Sequence, residues 1–328
     1  MRLTLSQRLR LSRGAVFYSA VDRAAHTLAR LRYALPDAQP ERHHVFLEPN
    51  VPYGTSRARH HRLDVYVPTR AERPLPVVMY VHGGGFASLS KDTHRVMALA
   101  IASRGYLVFN VNYRLGIRHP YPEPLEDVAN ALVWVNANAD RFGGDPGRIA
   151  VAGESAGGNL VTALGVMYAK RREEPFARRV YDANIALRAI VATYPYLDLT
   201  EHDKVHPRLA GWYKAALFDA ASAYLGSNVF AADHDLLASP LRVLEGKFEP
   251  DRPLPPFFIA CGSRDPLLQQ CQRLEDALRK LGTPAELFIA PGEIHAFDAM
   301  VWRASARAKW KAQHAFLTRY LQPKREAA

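Results

Sequence analysis

Cysteine is scarce: Cys261 and Cys271 are the only two in 328 residues. Two thiols are too few for a disulfide framework and lack metal-ligand spacing, so they read as buried thiols, with one bridge between them left open. No run of about 18 apolar residues could span a membrane, and no apolar core is long enough for a secretory signal. Repeats and low-complexity tracts are also missing. Acidic residues run short at one end, where Met1 to Leu35 sets Arg2, Arg8, Arg10, Arg13, Arg23, Arg30 and Arg32 against Asp22 alone. That stretch predicts one or two basic amphipathic helices packed on the body with a solvated basic face. An interfacial helix or an organelle transit peptide would have the same composition. The absent signals predict a soluble, cytoplasmic protein. The net charge of +11 raises nucleic acid as a partner. No basic run interleaved with aromatics accompanies it, so no nucleic acid partner is expected.

What is present is enough for one large α/β domain with a smaller piece attached, at 328 residues and 48% hydrophobic. His44 to Glu48 and His61 to Val67 read as strands of an antiparallel start. Leu75 to Val81 is a continuous apolar run, as expected of a strand buried on both faces of a parallel sheet. Helix and strand then alternate with short connections: Asp92 to Arg104, Tyr106 to Tyr113, Leu125 to Asn138, Arg148 to Ala152. This is the pattern of a right-handed parallel α/β fold.

Between the last of these strands and the helical run Asn159 to Tyr168 lies Gly153-Glu154-Ser155-Ala156-Gly157-Gly158. A turn sharp enough to expose the Ser155 hydroxyl crowds its own backbone, so small residues are needed at 153 and 157. Upstream, the buried strand runs into His82-Gly83-Gly84-Gly85. Successive glycines leave backbone N–H groups unshielded, free to face an oxygen that gains negative charge in a transition state.

Four stretches occur in one order: His82 to Gly85; Val111 to Leu115 with His119-Pro120 and Leu125 to Asp127; Phe142 to Pro146; and Gly153 to Gly158. Together they resemble the hormone-sensitive-lipase-like branch of the α/β-hydrolase fold, over roughly residues 60 to 320. The resemblance implies a mostly parallel eight-stranded sheet flanked by helices, with a helical cap. Departures fall on supporting positions: Asn112 and Glu154 stand where aspartate is common, and Ala296 where glycine is usual. In this fold the chain order is serine, acid, histidine. Pro256 to Cys261 reads as a strand running into Asp265, the expected acid. Glu286 to Ala290 reads as the last strand, opening toward His295, the expected base. Asp298 and Glu293 lie too close to His295 and follow no strand, so neither is the acid.

The resemblance implies an oxyanion hole of the N–H of Ala156 with those of Gly84 and Gly85, Gly83 lying adjacent, and a supporting role in the motifs for His82 and Glu154. No cofactor or metal is implied. Glu201, His202, Asp203 and His206 have loose ligand spacing that a serine mechanism does not need. The expected divisions are residues 1–40 as the N-terminal part of the cap, 41–197 and 239–328 as the core, and 198–238 as the cap insertion. Trp212, Tyr213, Phe218, Tyr224 and Phe230 would pack that insertion. The expected activity is hydrolysis of short- to medium-chain carboxylic esters, the partner being a small-molecule acyl ester. An amidase or formamidase, or a non-catalytic ligand receptor, would use the same scaffold. Membrane contact through the basic N-terminus and a homodimer through the sheet edge are left open.

Overall fold

Two strands open the sheet, β1 (Val45–Pro52) and β2 (Arg62–Pro68), and they pair antiparallel. The computed structural model describes residues 5–54, 58–200, 211–226, 229 and 237–321, without the side chains of residues 5–11, 37 and 212. Glu201, His202, Asp203, His206 and Phe230, and the side chain of Trp212, lie outside what it describes. The remaining strands are β3 (Leu75–Val81), β4 (Leu107–Val111), β5 (Gly144–Glu154), β6 (Leu187–Thr193), β7 (Phe257–Gly262) and β8 (Ala285–Ala290). The sheet order is β1-β2-β4-β3-β5-β6-β7-β8, and every pairing from β4 onward is parallel.

Alternation along β3 explains how the sheet is covered. Val77, Met79 and Val81 face one core and Val78 and Tyr80 the other, because successive side chains leave opposite faces of a strand. Parallel strands need crossovers that cross the sheet faces. The helices are α1 (Leu5–Tyr33), α2 (Arg95–Ala102), α3 (Glu123–Asn138), α4 (Ala156–Ala169), α5 (Pro175–Asp182), α6 (Gly211–Leu225), α7 (Pro240–Glu245), α8 (Leu268–Lys280) and α9 (Ala304–Leu321). Leu125 and Leu132 of α3, Leu160 and Leu164 of α4 and Leu274 of α8 fill the first face; Met97 and Ile101 of α2 with Trp310, Phe316 and Leu317 of α9 fill the second. Each fully buried leucine contributes about 1.5–3 kcal/mol.

The N-terminal segment is one helix, not two. Gly14 lets α1 run past α6 at close quarters, since a Cβ there would come within 3.1 Å of Asp219. Tyr18 donates to the Ala216 carbonyl at 3.2 Å, joining the two helices. Farther along α1, His26 Nε2 meets Ser90 Oγ at 2.9 Å and Tyr33 donates to the Thr93 carbonyl at 3.0 Å. The helix is thereby tied to the segment that follows the glycine triplet. Both cysteines are buried and unbridged.

Candidate active site

β5 ends in a tight turn. Ser155 has φ 50° and ψ −115°, and its N–H donates to the Thr193 carbonyl at 2.9 Å. A non-glycine residue at positive φ is strained, and strain of this kind persists where the surroundings over-determine it. Here they do: a Cβ on Gly157 would lie 2.1 Å from the Val81 carbonyl oxygen, and one on Gly153 2.5 Å from that of Gly157. The strands and α4 close on the elbow from both sides, holding the hydroxyl at the carboxyl edge of the sheet.

His295, after β8, places Nε2 3.0 Å from Ser155 Oγ. Its Nδ1 lies 2.8 Å from Asp265 Oδ2, after β7. A carboxylate can only accept, so Nδ1 carries the proton and Nε2 is left to accept from the serine. The Leu267 N–H donates to Asp265 Oδ1 at 2.9 Å, fixing the buried carboxylate. Burial lowers the His295 pKa, but the charge of Asp265 and its hydrogen bond outweigh that and raise it above the ordinary value. Gly262 allows the two loops to meet, because a Cβ there would come 2.3 Å from the Glu293 carbonyl oxygen.

β3 runs into the glycines, and Gly83 lies against Glu154, the residue before the serine. Gly84 and Gly85 have φ of 114° and 60°, and a Cβ on Gly84 would lie 2.1 Å from the Ser88 carbonyl oxygen. The N–H groups of Gly84, Gly85 and Ala156 have no acceptor among the described residues. That of Gly83 is occupied: it donates to Glu154 Oε1 at 3.1 Å. His82 Nδ1 donates to the Gly83 carbonyl at 2.7 Å, and its ring stacks on Tyr113 at 4.4 Å. Burial and the nearby His94 push the His82 pKa down to about 3, so the ring is neutral. Of the residues predicted from sequence, Ser155, Asp265 and His295 form one hydrogen-bonded chain, and Ala156 follows the serine at the start of α4.

A family model for the α/β-hydrolase fold matches residues 78–299. The chain belongs to that fold family, in its hormone-sensitive-lipase-like branch. It is 33% identical over 247 residues to carboxylesterase NlhH of Mycobacterium tuberculosis, covering 74% of each chain. Esterase LipI of the same organism is 33% identical over 231 residues, 70% of this chain and 67% of that one. Among solved structures, esterase LipW from Mycobacterium marinum aligns with a TM-score of 0.74 at 26% identity, covering 93% of this chain and 90% of that one.

Behind Ser155, this α/β-hydrolase carries a buried polar chain that sequence reasoning missed. Glu154 Oε1 is bonded to His94 Nε2, and Glu154 Oε2 accepts from the Tyr194 hydroxyl at 3.1 Å. That hydroxyl also lies 2.5 Å from Asp298 Oδ1, and Lys309 Nζ donates to Asp298 Oδ2 at 2.7 Å. Burial raises the Glu154 pKa, but the His94 charge and hydrogen bonds from His94, Gly83 and Tyr194 overcome it and hold the group at about 2. His94 is raised in turn, burial being outweighed by the charge and hydrogen bond of Glu154. The Tyr194 ring sits 4.6 Å from the His295 ring. One signal for Lys309 was available. The helical phase of Ala306, Trp310, Gln313 and Leu317 sets it on the buried face of α9.

The rejected acids are committed elsewhere, Asp298 to Tyr194 and Lys309, Glu293 to Ser305 and Arg303. Among the described residues, no group of three or more His, Cys, Asp or Glu could hold a metal ion. No described helix is long and apolar enough to cross a membrane.

Proposed function

We propose that the chain hydrolyses carboxylic esters through an acyl-enzyme on Ser155, with His295 as the base and Asp265 as its partner. The observation that carries this reading is the contact of 3.0 Å from His295 to the serine, backed by that of 2.8 Å to Asp265. A hydroxyl is a poor nucleophile at neutral pH and needs a base to take its proton as it attacks. His295 Nε2 takes the proton, and Asp265 holds the tautomer and stabilises the imidazolium. The developing oxyanion is received by the N–H groups of Ala156, Gly84 and Gly85, each worth about 3–4 kcal/mol in the transition state. His295 then protonates the leaving alcohol, and water repeats the attack on the acyl-enzyme. The esterases NlhH, LipI and LipW support the ester as substrate.

The segments 1–40 and 198–238 are the proposed cap, and residues 41–197 and 239–328 the core. Tyr18 supports this division, because a Cβ on Gly85 would lie 2.5 Å from its hydroxyl, so α1 roofs the oxyanion loop. Tyr213 of α6 supports it too: burial and the charge of Asp265 raise its pKa. A roof close to the serine favours short- to medium-chain acyl groups. The test is hydrolysis of p-nitrophenyl esters from acetate to palmitate beside the anilides. Cleavage of the short esters, falling with chain length, is expected. Anilides cleaved as fast as esters would turn the assignment toward an amidase.

Val16, Leu28 and Leu31 of α1 are 69%, 66% and 66% exposed beside its arginines, which supports contact with a membrane surface. The open edge of β8, with Ile289 exposed, supports a homodimer. Sedimentation with and without lipid vesicles reads both. A chain of 36.7 kDa that sediments as a monomer and stays off the vesicles removes both.

A further inference from the structure

Between α1 and the segments around residues 59–60, 87–92 and 112–119 lies a cavity of about 760 Å³. None of Ser155, Asp265, His295, Gly84 or Gly85 lines it, so ester hydrolysis leaves it unexplained. Its wall carries four arginines, Arg23, Arg30, Arg59 and Arg118, against two aspartates, Asp22 and Asp92. Both acids are engaged. Asp22 accepts from the Leu89 N–H at 2.7 Å and lies 3.3 Å from His26 Nδ1. Asp92 accepts from Lys91 Nζ at 3.0 Å and lies 3.7 Å from Arg59.

Arg23, Arg30 and Arg118 are left without a carboxylate partner among the described residues. Elsewhere Arg114, Arg148, Arg172, Arg179 and Arg273 each pair with an acid, while exposed arginines such as Arg70 and Arg188 do not; what sets the cavity apart is that three unpaired arginines line it together. His60 and His119 also line the cavity, with ring centroids 5.7 Å apart. Burial, then the neighbouring His61, His119 and Arg114, lower the His60 pKa against the pull of Asp127.

We propose that this cavity is a binding site for a phosphate group, held between Arg23 and Arg30 on α1 and Arg118 on the facing loop. Guanidinium groups arriving from two walls suit an anion with several oxygens, because each presents a fork of donors. The volume is that of an organic ligand rather than a bare ion. The phosphate of a soluble phosphorylated molecule and that of a lipid headgroup share this chemistry. In either case a ligand bridging α1 to the 112–119 segment would fasten the roof from a second side, and would raise thermal stability by RT ln(1 + L/Kd), where L is the free ligand concentration.

The test uses the full chain, inorganic pyrophosphate by calorimetric titration, and phosphatidylcholine vesicles with and without phosphatidylglycerol. Two triple variants are compared: Arg23→Gln/Arg30→Gln/Arg118→Gln, and the charge-matched Lys247→Gln/Lys280→Gln/Lys311→Gln. All six side chains are exposed, so both variants should fold and keep the hydrolytic rate. Saturable pyrophosphate binding that weakens about tenfold or more in the arginine variant alone supports a soluble ligand, the loss expected for even one charge-assisted hydrogen bond. The same selective loss seen only with phosphatidylglycerol vesicles supports a headgroup. Binding of neither probe, or equal weakening in both variants, overturns the proposal.

Discussion

Ser155→Ala is expected to lower kcat for p-nitrophenyl butyrate by about 10⁶-fold, the scale seen when the nucleophile of a serine hydrolase is removed. Thermal unfolding should separate this from a folding defect. The hydroxyl makes one described hydrogen-bond contact, to His295, and the elbow is held by backbone. Tm should therefore stay the same or rise, because the deleted atom belongs to the chemistry and the strained φ of 50° suits alanine no worse than serine. Stopped-flow traces should lose the burst that reports the acyl-enzyme. Turnover retained above about 1% of wild type in clean protein would remove Ser155 from the mechanism.

The second large effect is expected from Asp265→Asn, a loss of about 10⁴-fold in kcat. The carboxylate accepts from Nδ1 at 2.8 Å, and an amide in the same place can present a donor instead. The imidazole proton would then move to Nε2, the nitrogen that must accept from the serine. The pH profile distinguishes this from loss of structure. His295 works only when neutral, so kcat/KM rises with pH through its pKa. Asp265 helps to lift that pKa above 6.5, so the limb of the wild type should lie above that value and the limb of the variant should move to lower pH. A variant with an unshifted limb and a rate within tenfold of wild type would show that Asp265 does not orient the base.

Much of this arrangement was legible in the sequence because local chemistry dictated it. The elbow needed small residues at 153 and 157, the triplet needed backbone without side chains, and chain order pointed to Asp265 and His295. Strand existence was readable too, although β5 begins at Gly144, four residues before the apolar run at Arg148, because Gly144 pairs with Leu75 across a register shift. The buried chain from His94 to Lys309 was not readable. Its members are separated by up to 215 positions and look ordinary alone. Asp298 drew notice only as a rival acid, and Lys309 sits among exposed cations. Nor did composition tell one N-terminal helix from two, since the close approach of α6 at Gly14 appears only in the fold.

The Tyr194 hydroxyl touches both Glu154, which holds Gly83, and Asp298, three residues from His295. The loop that carries the proposed base and the glycine loop proposed to receive the negative charge are thus both linked to one oxygen. A shared hydroxyl between the Glu154 side chain and the Asp298 loop opposes separate movement of the two as the molecule warms. Heat should therefore silence this enzyme by unfolding it, with the Arrhenius line staying straight until the melting transition begins.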